Sequence, residues 1–291
     1  MRPSDLQASH RFVEANGIRF HCVEKGRGPL VLLLHGFPEM WWSWRYQIDP
    51  IAEAGFRAVA PDLRGYNESD KAGPYDIDTL ASDVHALIAA LGESRAAVVG
   101  HDWGGAVAWH FAATRPESCE RLAILNCPHP VQFRRALSSR GTQLKRSSYI
   151  LFFQLPWLPE YLLTRRDAEL IVRIFLAHAK DRSHFGPDEI RPFRDSVQKH
   201  GAAKAMLGYY RALVKTALRD RARFARYPII QAPALLIWAK DDRALSYEDL
   251  VPGTERWAPR LELRTLERCG HFVQSEQPEP VNHWLSSFLR S

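Results

Sequence analysis

Cysteine is scarce in this chain of 291 residues, and long hydrophobic runs are missing. The four cysteines form no Cys-x-x-Cys pair, which excludes a zinc ribbon, a thioredoxin-type redox motif and a disulfide scaffold. They are expected to be buried thiols in a reducing compartment, and they are Cys22, Cys119, Cys127 and Cys269. The strongest apolar stretches, such as Leu30 to Leu34, are far shorter than the roughly 20 residues that cross a bilayer.

The first ten residues are polar and lack the apolar segment of a secretory signal. We therefore expect a cytoplasmic protein with no integral membrane segment. Internal repeats and low-complexity linkers are also missing. With 46% hydrophobic and 25% charged residues, the composition excludes a disordered or collagen-like chain and allows a large core.

Short β-type runs separated by turns and helical patterns indicate an α/β fold. Phe12 to Ala15 and Ile18 to Val23 flank Asn16-Gly17, a dipeptide that favours a type I′ hairpin. A helical pattern follows a capping Asp76 or Asp78. Apolar runs typical of strands covered on both faces recur at Leu30 to Leu34, Arg57 to Pro61, Ala96 to Val99, Leu122 to Leu125 and Ala234 to Ala239. This alternation predicts a mostly parallel central sheet with helices on both faces.

The alternation stops after Leu125. Residues 130–226 have a mainly helical pattern interrupted by the turn signal Phe185-Gly186-Pro187. A strand near Leu261 to Leu266 and a closing helix after Pro278 follow. We expect one core domain, residues 1–129 and 227–291, with a helical cap, residues 130–226, inserted between two strands.

The segment Gly100-His101-Asp102-Trp103-Gly104-Gly105 follows a predicted strand and opens a predicted helix. Small residues around a central side chain are typical of the sharp turn, called the nucleophile elbow, that lifts a catalytic residue out of a sheet. The central residue here is Asp102. The plain alternative is that Asp102 only caps the helix.

His271 and Asp242 each follow a predicted strand late in the chain. The order of nucleophile, acid and then histidine is that of α/β-hydrolases. A lone histidine is usually a surface or core residue, and the chain has twelve, but His271 combines a strand-end position with an upstream acid. Asp241 is the alternative acid, and Asp242 is preferred.

His35-Gly36-Phe37-Pro38 ends the strand of Leu30 to Leu34. This is where such a fold places backbone amides that stabilise an oxyanion. The expected donors are the amides of Phe37 and Trp103. A simple strand-to-loop turn is the alternative interpretation.

With these motifs together, the chain resembles the epoxide hydrolases of the α/β-hydrolase superfamily over essentially its whole length. The matching segments also include Asp62-Leu63-Arg64-Gly65-Tyr66. The resemblance implies an α/β-hydrolase fold with Asp102 as nucleophile and His271 with Asp242 as its partners. It further implies that two cap tyrosines, Tyr149 and Tyr210, hold the epoxide oxygen, with Tyr209 as the alternative to Tyr210.

The activity implied by the resemblance is the opening of an epoxide to a vicinal diol. Asp102 would form an alkyl ester, and water activated by His271 would hydrolyse it. No metal or organic cofactor is expected. One alternative is a haloalkane or haloacetate dehalogenase. Haloalkane dehalogenases commonly carry Asn where this chain has Phe37, and fluoroacetate dehalogenases carry Arg where it has Trp103. Both differences argue against this alternative. The other alternative is a non-catalytic ligand-binding protein with the same fold.

Aromatic residues predict an apolar substrate. Trp41, Trp42 and Trp44 are most simply explained as packing, since tryptophan is largely buried on average. In the functional interpretation the substrate-binding residues are His35, Pro38, Trp41, Phe152, Phe153 and Trp157, with Trp103 beside them. The expected partners are a small apolar epoxide and water, without nucleic acid, and a homodimer is left open.

The net charge of +6 is unevenly distributed along the sequence. Residues 131–226 contain 20 Lys and Arg and 8 Asp and Glu, a net +12, whereas the remainder has 19 and 25, a net −6. Such a basic segment is most often a solvated helix surface. Attraction to anionic lipid or to an acidic substrate tail is the alternative hypothesis.

Overall fold

The structure is a computed structural model that describes residues 6–139, 141–219 and 227–291. An eight-stranded sheet lies at its centre, with the order β1-β2-β4-β3-β5-β6-β7-β8. The strands are β1 (Ser9–Ala15), β2 (Ile18–Lys25), β3 (Leu30–Leu34), β4 (Arg57–Pro61), β5 (Ala96–His101), β6 (Cys119–Leu125), β7 (Ala234–Ala239) and β8 (Leu261–Leu266). The first three strands in this order pair antiparallel and the others parallel, so the predicted sheet is confirmed.

Helices fill the connections. They are α1 (Ile48–Glu53), α2 (Ile77–Ala90), α3 (Trp103–Thr114), α4 (Pro130–Ser138), α5 (Gln143–Arg146), α6 (Tyr149–Phe152), α7 (Leu158–His178), α8 (Pro187–Gln198), α9 (Ala202–Arg219), α10 (Tyr247–Leu250), α11 (Val273–Glu276) and α12 (Pro278–Arg290). None of the helices within the described ranges has the length and hydrophobicity of a bilayer-spanning segment.

Two local sequence signals, a hairpin turn and a helix cap, have the structural effect predicted for them. Asn16 and Gly17 both have positive φ, 48° and 70°, and they join β1 to β2 as the hairpin turn requires. Of the two candidate caps of α2, Asp76 is the residue used, because its carboxylate accepts a hydrogen bond from the Thr79 amide at 3.1 Å.

The central strands are buried on both faces. All five residues of β3 and all six of β7 are buried, as expected of parallel strands covered by helices. The Trp41–Trp44 segment forms a buried 3₁₀ turn after β3. The three tryptophans of that turn therefore belong to the core, as the packing interpretation predicted.

Helices α4 to α9 lie between β6 and β7, and we call residues 130–219, apart from residue 140, the helical segment. Gly186 and Pro187 begin α8, which agrees with the turn signal there. Helix α7 is interrupted at residues 165–168, where the backbone leaves the helical region. The predicted end of the cap, at residue 226, lies outside the described residues.

The helical segment contacts the core at the loop after β4. A Cβ added to Gly65, whose φ is +90°, would lie 2.7 Å from the Ala205 side chain of α9. In the same place the Tyr209 hydroxyl donates to the Arg64 carbonyl oxygen at 2.7 Å. Arg64 is held in turn by Asp83 through two hydrogen bonds of 2.7 and 2.6 Å. Helix α9 is thereby anchored to the core.

Candidate active site

Asp102 occupies the sharp turn between β5 and α3. Its φ of 49° and ψ of −119° lie outside the regions that L-residues ordinarily adopt, which indicates a strained turn. The turn requires close backbone approach, because a Cβ at Gly104 would overlap the Leu34 carbonyl oxygen. The Asp102 side chain makes no capping hydrogen bond to α3. The helix-cap interpretation is therefore wrong, and the carboxylate is free to face other partners.

The Asp102 carboxylate lies against the loop after β3. Its Oδ1 accepts a hydrogen bond from the Phe37 amide at 2.9 Å. A Cβ at Gly36 would lie 2.5 Å from the Asp102 Cβ, so only glycine fits there without displacing the carboxylate. Trp103, the second expected amide donor, follows directly as the first residue of α3. The side chain of Asp102 retains 18% exposure, whereas that of His271 is 6% exposed.

His271 joins two carboxylates. Its Nε2 lies 3.6 Å from Asp102 Oδ2, and its Nδ1 donates to Asp242 Oδ2 at 2.7 Å. The Ala244 and Leu245 amides donate to Asp242 Oδ1 at 2.7 and 3.0 Å. These bonds hold Asp242 in one orientation and leave His271 facing Asp102.

The choice between the two candidate acids follows from burial. Asp242 is 2% exposed and contacts His271, whereas Asp241 is exposed. The structure therefore places Asp242, the preferred residue, beside the histidine.

The three groups shift one another's pKa. Burial alone would lower the pKa of His271, but the Asp242 charge and the hydrogen bonds with both carboxylates raise it well above its ordinary value. Burial would raise the pKa of Asp102, yet His271 and the Phe37 amide hold it below its usual range. The pKa of Asp242 is likewise held down by His271 against the effect of burial. Each of these shifts favours the charged form of its group.

Two tyrosines of the helical segment face each other above this group. The Tyr149 and Tyr210 ring centroids are 5.8 Å apart, and Tyr210 also contacts Trp103 at 5.1 Å and Phe37 at 5.3 Å. Burial raises the pKa of Tyr149 and of Tyr210, so both phenols retain their protons. Tyr209 is engaged with the Arg64 carbonyl instead, which leaves Tyr210 as the tyrosine that faces the site.

Some of the expected substrate-binding residues line the site. Phe153 is buried, with ring centroids 4.9 Å from Tyr210 and 5.6 Å from Phe37, and Phe152 packs against it at 5.9 Å. Pro38 follows Phe37 in the same buried loop. Phe153 therefore packs between Tyr210 and Phe37, the residue whose amide contacts Asp102.

Three others do not line it. His35 is buried, and its ring accepts from the Leu63 amide at 3.0 Å, so it supports the loop after β3. Trp41 packs against His10 and Trp42 within the core. Trp157 is 71% exposed on the outside of the helical segment.

The sequence interpretation missed a buried network beneath the site. Glu39 Oε2 accepts from the Gly36 amide at 2.8 Å and from His101 Nδ1 at 2.7 Å, while Oε1 accepts from Gln274 at 3.0 Å. The other ring nitrogen of His101 donates to the His271 carbonyl oxygen at 2.9 Å. The loops that carry the amide donor, the nucleophile and the histidine are therefore linked through one carboxylate. The sequence could have suggested this network, because Glu39 lies close to Gly36 and His101 directly precedes Asp102.

Asn126 was also missed. It follows β6 with a φ of 40°, and its amide donates to Asp242 Oδ2 at 2.8 Å while its oxygen accepts from the Ala239 amide at 2.8 Å. Its position directly after a strand, like those of Asp102 and Asp242, could have identified it. Among the described residues no cluster of three His, Cys, Asp or Glu side chains is arranged to hold a metal ion.

Comparison with known proteins agrees with this geometry. A family model described as alpha/beta hydrolase fold matches residues 29–278. An AB hydrolase superfamily protein of Bacillus subtilis is 40% identical over 287 residues, or 97% of this chain and 98% of that protein. Epoxide hydrolase 4 of Homo sapiens is 33% identical over 96% of this chain and 77% of that protein.

Solved structures give the same result. A mutant epoxide hydrolase from Bacillus megaterium, crystallised with its naphthyloxy-propane-1,2-diol product, superposes with a TM-score of 0.86 at 31% identity. The match covers 97% of this chain and 100% of that one. The chain therefore belongs to the α/β-hydrolase fold family and, within it, to the epoxide hydrolases.

Proposed function

We propose that the chain opens an apolar epoxide to a vicinal diol through a covalent ester on Asp102. The observation that carries the proposal is the position of the Asp102 carboxylate, which lies between His271 and the Phe37 amide and beneath two protonated tyrosines. Nucleophile, base and proton donors are the three groups that this reaction needs.

In the first step, one Asp102 oxygen attacks a ring carbon and the carbon–oxygen bond of the epoxide breaks. An ionised carboxylate can do this without a base, and the depressed pKa of Asp102 keeps it ionised at neutral pH. The electron pair of the broken bond goes to the epoxide oxygen, which takes a proton from Tyr149 or Tyr210. Both phenols carry a proton at neutral pH, and the developing alkoxide is a strong enough base to take it.

Ester formation prepares His271 for the second step. It removes the negative charge of Asp102, one of the two carboxylates that raise the pKa of His271. The pKa of His271 then falls, and a neutral imidazole becomes available once its proton has restored the tyrosine. His271 next removes a proton from water, and the resulting hydroxide attacks the ester carbonyl.

The Phe37 and Trp103 amides stabilise the oxyanion of this second step. The Phe37 amide already contacts Asp102 Oδ1, the oxygen on which the charge develops. Collapse of the tetrahedral intermediate breaks the ester bond, and the departing alkoxide takes the proton from His271. Asp102, left as a carboxylic acid, passes its remaining proton to the neutral His271, which restores the carboxylate. The water oxygen remains on Asp102.

The aromatic wall of Phe37, Phe153 and Trp103 supports a substrate with an apolar substituent. The Bacillus megaterium relative binds a diol with a naphthyloxy group. We propose the same broad class for this chain, with residues 130–226 as a cap domain over a core of residues 1–129 and 227–291. The four free, buried cysteines fit a reducing, cytoplasmic setting.

A single turnover in ¹⁸O-water, with enzyme in excess over an aryl glycidyl ether, tests the reaction. The expected result is unlabelled diol and label in the peptide that contains Asp102. Label in the first-turnover diol would instead mean direct attack by water and would exclude the ester. Halide release from haloalkanes, with no diol from epoxides, would assign the chain to dehalogenation.

His271→Gln tests the second step. The expected result is a stable mass adduct on the Asp102 peptide after exposure to the epoxide. Asp241→Asn is the matched control, because Asp241 is exposed and should leave turnover intact. If the His271 variant shows no adduct while the control turns over normally, the proposed roles are wrong.

A further inference from the structure

Exposed apolar side chains are concentrated at one place on the helical segment. The described residues include nine exposed large hydrophobic side chains, and four of them fall within residues 151–161. These are Leu151, Leu155, Trp157 and Tyr161, with exposures of 70%, 45%, 71% and 54%. Six of the nine tryptophans are buried and two are partly buried, so Trp157 differs from all the others. Scattered exposed residues are normal, but a cluster of this kind indicates a binding surface.

These side chains and the active site lie on different sides of the same stretch. Tyr149 and Phe153 face Tyr210, whereas Leu151 and Leu155 point to solvent. Tyr161 follows Trp157 by one helical turn, since its amide donates to the Trp157 carbonyl oxygen at 3.0 Å. The two exposed aromatic side chains are therefore one turn apart at the start of α7.

An arginine-rich cleft continues this face. The Arg165 guanidinium lies 5.4 Å from the centre of the Tyr161 ring. Beyond it is a cleft of about 220 Å³ lined by Leu162, Arg165, Arg166, Glu169, Leu170 and Arg173. We call the four exposed apolar residues and this cleft the outer face.

The outer face carries a local excess of positive charge. Two acidic residues nearby are neutralised by arginines of other helices: Glu160 by Arg211 at 2.6 Å, and Asp167 by Arg194. Within the cleft, three arginines face a single carboxylate, that of Glu169, which Arg173 contacts at 2.6 Å. The described residues of the helical segment contain 16 Lys and Arg against 7 Asp and Glu, a net +9, which favours the approach of this segment to an anionic surface.

We propose that the outer face docks on an anionic phospholipid bilayer, with its apolar side chains among the headgroups and its arginines on the lipid phosphates. Tryptophan and tyrosine favour the membrane interface because one part of each ring is apolar and the other polar. Arginine pairs with phosphate through two parallel hydrogen bonds. The exposed leucines favour lipid over nucleic acid, because aliphatic side chains gain nothing from stacked bases or sugar phosphates. The docking surface does not depend on the proposed reaction.

Sedimentation with vesicles tests the proposal. The full chain should pellet with vesicles that mix phosphatidylcholine and phosphatidylglycerol at low salt, remain in solution with pure phosphatidylcholine, and be released by high salt. Trp157→Ala should weaken binding about tenfold, since it removes a large apolar side chain from the interface. Arg166→Gln and Arg173→Gln should each weaken it about fivefold.

Matched substitutions on the core act as controls. Phe12→Ala removes a side chain that is 49% exposed on β1, and Lys240→Gln and Arg264→Gln remove cations that, like Arg173, pair with a neighbouring glutamate. These three variants should bind vesicles as the unmodified chain does. Thermal unfolding of every variant establishes that it is folded.

Quenching of tryptophan fluorescence by brominated lipid provides a second readout. Because Trp157 is the exposed tryptophan, the quenching should be lost in Trp157→Phe although that variant still pellets with vesicles. The proposal is overturned if the chain does not bind anionic vesicles, or if folded outer-face variants bind as tightly as the controls. It is also overturned if soluble polyaspartate binds as tightly as the vesicles and Trp157→Ala leaves that binding unchanged, because the partner would then be an acidic macromolecule.

Discussion

Asp242 Oδ2 lies 2.7 Å from His271 Nδ1, and Asp102 lies at the opposite nitrogen of the same ring. One histidine therefore stands between two carboxylates that act differently on it. The charge of Asp242 is permanent, because its buried oxygens already accept hydrogen bonds from Asn126, Ala244 and Leu245. The charge of Asp102 would be lost in the proposed ester.

Asp242→Asn should lower kcat about a thousandfold or more, since the imidazole loses both its orientation and the charge that stabilises its protonated form. Asp241→Asn, one residue away and exposed, should leave kcat within about twofold. Steady-state diol formation measures both. Equal losses in the two variants would contradict the assignment of Asp242.

The stability contribution of His271 should depend on pH. Its pKa is raised in the folded chain, so the contribution is complete below the unfolded pKa of about 6.5 and is lost as the pH rises toward the raised value. The difference in Tm between the unmodified chain and His271→Gln should therefore shrink as the pH increases from about 6 to about 10. A difference that grows over this range would mean that His271 is not protonated in the folded state.

Tyr149→Phe and Tyr210→Phe should each reduce the rate of ester formation about a hundredfold, because each removes one proton donor to the epoxide oxygen. The double variant should show no detectable ester by mass spectrometry. Tyr209→Phe is the neighbouring control, and it should cost about 1 kcal/mol of stability through its lost bond to Arg64 while ester formation continues. A larger reduction of ester formation in Tyr209→Phe than in Tyr210→Phe would reverse the assignment.

Glu39→Gln should destabilise the chain by about 3 kcal/mol, because it leaves His101 without its buried anionic partner. Glu68→Gln, which removes the half-exposed partner of Lys199, should change stability by about 0.5 kcal/mol or less. Denaturant unfolding of the two variants checks the difference. Similar values would show that the Glu39 network does not hold the loops together.

Much of the fold could be predicted because its signals are local. Continuous apolar runs identify the buried parallel strands, and Leu30–Leu34, Arg57–Pro61 and Ala234–Ala239 have the observed ends. The hairpin at Asn16-Gly17 depends on two positive φ angles that these residues tolerate. The end of a strand was harder to predict where the strand continues beyond its apolar run. The run from Ala96 to Val99, for example, extends to His101 in β5.

The candidate site could be predicted only where a motif carries it. Asp102 and His271 stand out through neighbouring glycines and strand-end positions, whereas Glu39 and Asn126 act through partners distant in sequence. Trp157 was expected to bind substrate, but composition does not tell which side of a helix faces outward. The choice between Tyr209 and Tyr210 depended on the Tyr209 bond to Arg64, and the choice between Asp241 and Asp242 depended on burial.

Tyr209 and Tyr210 are consecutive residues, so the bond between the Tyr209 hydroxyl and the Arg64 carbonyl also sets the height of Tyr210 above Asp102. Larger epoxides cannot be admitted by raising α9 unless that bond breaks and the proton donor moves away from the nucleophile. Substrate size is thus coupled to reactivity at this helix. Variants with a wider site are best sought at Phe152, which packs on Phe153 at 5.9 Å and can be shortened while the Tyr209 bond stays intact.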